Sequence, residues 1–192
     1  MTRDPFAQLQ DWFAAARAAG VSEPEAAALA TATPDGRPSV RIVLLRGIGP
    51  DGVAFYTNYE SRKGRELAEN PRAALAIHWP AQQRQVRMEG EVSRVSAEES
   101  DAYFRSRPRG SRIGAWASRQ GSVLADRQEL EGRFDELEAR WRGEEIPRPP
   151  YWGGYVLRPD AMEFWEGRPS RLHDRVHYLR ESDGWRTERL SP

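Results

Sequence analysis

Residues 40–67, VRIVLLRGIGPDGVAFYTNYESRKGREL, decide how the chain folds. Val40 to Arg46 is rich in β-branched and aliphatic residues and reads as a strand. Gly47 to Gly52 supplies the Gly, Pro and Asp of a turn, and Val53 to Thr57 follows as a shorter strand. Two strands joined this closely read as antiparallel neighbours. Ser61 to Glu69 then reads as a short helix, which Asn70-Pro71 stops.

The same patterns continue outward. On the N-terminal side lies the apolar stretch Ala26 to Thr33, ended by a Pro34–Pro38 turn. Before it, Asp4 and Pro5 open a helix with Phe6, Leu9, Trp12, Phe13 and Ala16 on one face, closed by Gly20. On the other side, Ala73 to Trp79 and Gln83 to Val95 read as strands. Ser96-Ala97-Glu98-Glu99 is a capping box for a helix reaching about Arg107. A longer helix, from about Asp126 to Arg142, spaces Leu130, Phe134, Leu137 and Trp141 by four, three and four. From Gly153 the chain returns to strands, with Ser182-Asp183-Gly184 as a hairpin turn. Roughly seven strands and three or four outer helices without βαβ alternation predict a mainly β fold, a small antiparallel barrel with peripheral helices. Ile146 to Pro150 is a rigid connection and no long linker occurs, so residues 1–192 are expected to form one domain.

Composition narrows the chemistry. Lys+Arg and Asp+Glu each number 29, so no global field favours nucleic acid or an anionic membrane. Any anion site must come from local clustering. The chain has no cysteine, which removes disulfides, thiolate catalysis and Cys-ligated metals. Met1 to Arg17 carries acidic and aromatic residues at helical spacing, unlike a signal peptide or membrane span, and the expected address is the cytoplasm. His78, His173 and His177 do not sit at metal-ligand spacing. No GxGxxG, P-loop or GxSxG occurs.

Three polar clusters remain. Arg41 and Arg46 bracket a strand and should fall on opposite faces, as an anion site or as the charged ends of a half-buried strand. Tyr56-Thr57-Asn58 and Ser61-Arg62-Lys63-Gly64 place a hydroxyl and two cations at a helix start, which suits a phosphate. A purely solvated role is less comfortable there, because cations oppose the helix dipole. Trp165 to Arg175 (WEGRPSRLHDR) sets Arg171, His173 and Arg175 beside an indole, with all three on one strand face if the segment is extended. His173 could equally be a hydrogen-bonded strand histidine. Gln85, Trp116, Gln120 and Trp165 could flank a flat heterocycle, or be core or surface residues. Anion clusters without a triad or metal site fit an enzyme whose cofactor carries the chemistry.

In this order, RIVLLR, FYTNYESRKGREL, RQVRMEGEV, YFRSRPRGSRIGAWAS, WGGY, EFWEG and RLHDR resemble the pyridoxine/pyridoxamine 5′-phosphate oxidase family. The resemblance implies an FMN-binding split barrel, working as a homodimer with FMN at the interface. It puts FMN on Arg41, Ile42, Val43, Leu44, Leu45, Arg46, Tyr56, Thr57, Arg62, Lys63, Gln85, Gln120, Gly121, Trp165 and Arg175, some from the partner subunit. The substrate phosphate would meet Arg46, Tyr103, Arg107 and Ser111. Arg171, Leu172 and His173, on the C-terminal strands, would complete the substrate site, with Arg171 and His173 nearest the reacting carbon. The implied reaction oxidises pyridoxine or pyridoxamine 5′-phosphate at the 4′ carbon to pyridoxal 5′-phosphate, with O2 as acceptor and peroxide as product. This chain departs from the family in carrying Arg46 where Lys is usual, and in starting almost at its first helix, without the family's longer N-terminal arm. A phenazine-type flavin oxidase on the same barrel and a non-catalytic flavin or pyridoxal phosphate binder are the rival readings.

Overall fold

The strand pair expected from residues 40–57 is present in the computed structural model, which describes residues 4–192. Met1 to Arg3, part of the stretch considered as a leader, lie outside the described residues. β1 (Ala26–Ala32), β2 (Pro38–Gly49), β3 (Gly52–Asn58), β4 (Arg72–Trp79), β5 (Arg84–Arg94) and β6 (Trp152–Glu166) run in the order β3-β2-β1-β4-β5-β6. A β3–β6 pairing closes them into an antiparallel barrel. β7 (Asp174–Glu181) and β8 (Gly184–Arg189) extend the sheet beyond β6. Around it lie α1 (Pro5–Ala18), α2 (Arg62–Glu69), α3 (Ala97–Ser106), α4 (Arg109–Ala117) and α5 (Arg127–Arg140). The mainly β barrel with outer helices is therefore as read, with one strand and one helix more.

β2 is longer than its sequence suggested. Gly47–Gly49 stay in the ladder and the turn shrinks to Pro50-Asp51, because the register steps from Leu45↔Phe55 to Gly47↔Ala54. Arg46 is the extra residue of that bulge, which bends the strand at a site candidate. Gly52, at φ +139, begins β3 where a Cβ would lie 2.1 Å from the Leu157 carbonyl oxygen, so only glycine lets β3 meet β6.

Leu29, Leu45, Phe55, Ile77, Met88 and Leu157 fill the barrel at no more than 2% exposure. α1 covers one end with Phe6, Leu9, Phe13 and Ala16, and Phe13 meets Trp79 edge-on at 5.0 Å. A second core of Phe104, Ile113, Trp141, Ile146 and Trp152 joins α3 and α4 to β6. α4 escaped the sequence reading because Gly110 and Gly114 weaken the helical signal in its nine residues. Packing of Ile113 and Ala117 stabilises it instead.

Candidate active site

Period-two alternation splits residues 41–45 between two faces. Arg41, Val43 and Leu45 share the inward face, whereas Val40 and Ile42 are 70% and 65% exposed. One ligand outside the barrel can therefore meet the Ile42 and Leu44 side chains, but only the backbone of Val43 and Leu45. The Arg41 guanidinium turns in, donating to Thr31 Oγ1 (2.5 Å), Ser39 Oγ (2.5 Å) and the Leu29 carbonyl (3.2 Å). It lies 3.4 Å from the buried Glu66 carboxylate. Burial works to raise the Glu66 pKa, but donors from Ser39, Thr31 and Arg62 outweigh it and hold the carboxyl at about 2. Arg62 donates Nε to Glu66 at 2.8 Å, and its terminal nitrogens have no hydrogen-bond partner among the described residues.

Lys63, one residue along α2, is buried at 8% exposure. Its Nζ lies 2.8 Å from Gln120 Oε1, 3.1 Å from Thr57 Oγ1 and 3.3 Å from Ser61 Oγ. All three partners are neutral, and no carboxylate pairs with Lys63 among the described residues. Burial, with a smaller push from the Arg41 charge, lowers its pKa to about 8. A buried ammonium without a counter-ion is costly, and a bound anion would relieve that cost. The Ser61 hydroxyl, expected to be available to a ligand, is already occupied. It donates to the Asn58 carbonyl (2.7 Å) and caps α2 through Gly64 N (3.3 Å). Gln120 and Gly121 (φ +88) lie on the exposed loop after α4.

Beside this cation is a pocket of about 280 Å³ lined by Asn58, Arg107, Ser111, Ser118, Gln120 and Trp152. Arg107 stands at the end of α3, its guanidinium 4.6 Å from the Trp152 ring centroid. Its Nη1 is buried without a hydrogen-bond partner, and burial lowers its pKa. Tyr103, a turn earlier, stacks on Tyr56 at 3.8 Å. Burial, then the Glu99 carboxylate, raises the Tyr56 pKa to about 12, so it stays a neutral phenol. Ser111 sits in the first turn of α4. Arg46 is not brought here. It lines a separate groove of about 330 Å³ with Gln10, Arg17 and Glu25.

A third group lies elsewhere. Gln85↔Trp165↔Arg175 form one transverse row across β5, β6 and β7, so all three share a face. Arg175 grips Glu163 through two bonds (2.9 and 3.0 Å) and donates to the Ser191 carbonyl (2.8 Å), so its charge is already balanced. Arg171 and His173 do not share a strand face as the extended reading required. Pro169–Arg171 is a 3₁₀ turn in which Ser170 (φ +58) and Arg171 (φ +61) are left-handed, and β7 begins only at Asp174. The turn leaves Arg171 and Leu172 exposed. His173 instead rests on Trp165, 4.6 Å between centroids. Its Nδ1 accepts from Arg168 N at 3.2 Å, which leaves the N–H of the neutral ring on Nε2. Trp116 takes the core alternative of its reading. It packs 5.3 Å from Trp141 and donates to the Pro147 carbonyl, as a structural residue of the second core.

Around the barrel the order β1-β2-β3-β6-β5-β4 puts β2 and β5 on opposite walls. Trp152, beside Arg107, opens β6 and Trp165 stands near its far end, so the Lys63–Arg107 group and the Gln85–Trp165–Arg175 row lie at opposite ends of that strand in one chain. The sequence reading passed over Trp152 and Glu66. The Arg62–Glu66 spacing of four was the available signal for the latter. Among the described residues no group of His, Cys, Asp and Glu is placed to hold a metal ion.

Comparison with known proteins agrees with this architecture. Residues 13–141 match the Pyridoxamine 5′-phosphate oxidase family, and residues 152–192 match a Pyridoxine 5′-phosphate oxidase C-terminal dimerisation region. The chain is 58% identical to a pyridoxine/pyridoxamine 5′-phosphate oxidase of Rubrobacter xylanophilus, across 98% of this chain and 87% of that one. It is 60% identical to the like-named protein of Bordetella petrii, across 98% and 89%. The solved structure of PhzG from Burkholderia lata, in complex with tetrahydrophenazine-1-carboxylic acid, superposes with a TM-score of 0.94 at 39% identity, covering 100% of this chain and 94% of that one. Barrel topology, the phosphate-suited cations and matches along nearly the whole sequence agree: the chain belongs to the pyridoxine/pyridoxamine 5′-phosphate oxidase family.

Proposed function

We propose that this protein is an FMN-dependent oxidase that converts pyridoxine or pyridoxamine 5′-phosphate to pyridoxal 5′-phosphate, acting as a cytoplasmic homodimer. One observation carries the reading. Two cations, the buried Lys63 and the half-buried Arg107, lack carboxylate partners among the described residues, and Gln120, which Lys63 bonds, lines the pocket of Arg107. A reaction between two phosphorylated molecules needs two adjacent anion sites of this kind.

The residues fit FMN. Lys63, Arg62 and Thr57 would hold its phosphate, while Ile42 and Leu44 offer an apolar surface to its ring. The chemistry supplied by bound FMN is acceptance of a hydride and its return to oxygen. Arg107, Ser111 and Tyr103 clamp the substrate phosphate and fix where the ring lies. Arg171 and His173 then cover the ring, exclude water and place donors near the reacting carbon. A role for Arg46 on the substrate phosphate requires its side chain to leave the α1 groove.

A second copy supplies what one chain cannot. Residues on opposite barrel walls reach one flavin only if the β2 wall of one molecule faces the β5–β6–β7 wall of another. Trp165, Arg171, His173 and Arg175 all fall inside the matched dimerisation region. Val40 and Ile42 leave apolar surface on the β2 wall for that contact. No described helix is long and apolar enough to cross a membrane.

The likeness to PhzG favours one other reading, an oxidase of an unphosphorylated ring acid on the same barrel. Arg107 and Ser111 argue for a phosphorylated substrate instead. Aerobic incubation of FMN-loaded protein with pyridoxine 5′-phosphate decides between them. Equal yields of aldehyde and peroxide are expected; a yellow protein that forms neither would refute the oxidase reading.

Two further results are expected. Arg171→Ala should lower kcat/KM by about 10- to 100-fold, as loss of a charge-assisted contact does, with FMN still bound. Unaltered kinetics would remove Arg171 from the site. The second concerns pH. Free Lys63 loses its proton near pH 8, so FMN affinity should fall as pH rises through 8, with proton uptake on binding above it. Because the folded pKa lies below the ordinary lysine value of 10.5, this group's contribution to apoprotein stability rises from about pH 8 to 10.5. Calorimetry in two buffers checks this, and an affinity that stays flat from neutral to alkaline pH would contradict it.

A further inference from the structure

We propose that Trp152 is a positioning residue of the substrate-phosphate clamp, acting as an uncharged platform that holds the Arg107 guanidinium in place. This rests on the phosphate-clamp reading above. A half-buried arginine is ordinarily oriented by a carboxylate, but a carboxylate would cancel the charge that attracts a phosphate. Arg107 has none among the described residues. What it has is the Trp152 ring at 4.6 Å and the Phe104 ring at 5.6 Å. An aromatic face fixes a planar guanidinium without neutralising it. It also leaves the edge nitrogens of the cation available, and Nη1 is the buried nitrogen without a partner.

Trp152 is itself held firmly. It is 6% exposed and opposes Asn58 in the β3–β6 ladder. Its carbonyl accepts from Arg148 at 2.6 Å, and its N–H donates to the Pro149 carbonyl at 3.1 Å. Its ring is nearly parallel to Tyr103 (6.2 Å, 6°) and Tyr56 (5.7 Å, 17°). The next residues leave space for that stack, since a Cβ on Gly154 would lie 2.7 Å from the Tyr56 ring. The result is one rigid aromatic unit that links the expected FMN strand, through Tyr56, to Arg107.

A double-mutant cycle tests the inference. Trp152→Phe should raise KM for pyridoxine 5′-phosphate by roughly 3- to 5-fold, a part of a desolvated cation–π contact because Phe keeps a smaller and weaker aromatic face, with kcat and FMN affinity little changed. In an Arg107→Ala background the same change should add almost nothing, because the cation it positions is gone. An equal increment in both backgrounds, or parallel losses in KM, kcat and FMN retention, would overturn the proposal. Should Trp152→Phe fail to fold, Arg107→Lys serves, since it keeps the charge but not the planar stacking. It should lose affinity for inorganic phosphate, and native-like phosphate binding would overturn the proposal. Phosphate titration also separates this inference from the oxidase reading. Native protein that binds phosphate at Arg107 but turns over no pyridoxine 5′-phosphate would sink the reading, and the titration of the variants would still decide the role of Trp152.

Discussion

Lys63→Met is expected to weaken FMN binding by about 10- to 150-fold, the worth of a charge-assisted hydrogen bond, without destabilising the apoprotein. The two halves of this result have one cause. Lys63 is buried among Gln120, Thr57 and Ser61, none of which can neutralise it. Burying an uncompensated ammonium costs free energy in the apoprotein, and Met fills similar volume without that cost. The bound phosphate is the missing counter-ion, so its loss appears only in the holo state. Thermal melts with and without FMN measure both. Arg62→Ala should have the smaller effect on FMN, because Arg62 is the exposed member of the pair and is shared with Glu66. A Lys63→Met apoprotein that melts well below native, or that retains FMN normally, would contradict this account.

Arg107→Ala should raise KM for the phosphorylated substrate by about 10- to 100-fold while FMN stays bound. The guanidinium is half-buried and aromatic-stacked, and its unpartnered Nη1 is a donor prepared for a ligand. Removing it leaves the pocket of about 280 Å³ larger and without its cation. The loss should be confined to phosphorylated substrates, so turnover of unphosphorylated pyridoxine should hardly change. Steady-state kinetics with both substrates test this. Equal losses for both would remove Arg107 from the phosphate clamp.

Much of this was legible in the sequence, for local reasons. In RAALAIHW the large apolar residues Leu75, Ile77 and Trp79 fall on every second position, and they are among the buried positions of β4. Asp4, Ser61, Ser96 and Asp126 all cap the helices they announce. What stayed hidden depends on distant partners. The bulge at Arg46 is a property of pairing with β3, and it moves that side chain to a groove away from Arg107. Lys63 reads as one of two like cations at a helix start until Gln120, 57 positions later, bonds it and the fold buries it. Arg171 and His173 looked like one strand face because nothing local reveals a left-handed Ser170-Arg171 pair. Trp152 was quoted within WGGY, but its role depends on Arg107 arriving from α3. Resemblance identified these positions as a set, and only the fold separates them into two groups at opposite ends of β6.

Mixing two impaired variants tests that division most directly. Arg107→Ala damages the group around Gln120, whereas Arg171→Ala damages the group beside Trp165. If each site takes one group from each of two copies, a mixed dimer holds one intact site and one doubly damaged site. Random reassembly of equal amounts should then restore about a quarter of native activity at low substrate concentration, since half of the dimers are mixed. Activity that stays at the sum of the two variants, under conditions where subunits demonstrably exchange, would place both groups in one chain's site and contradict the account.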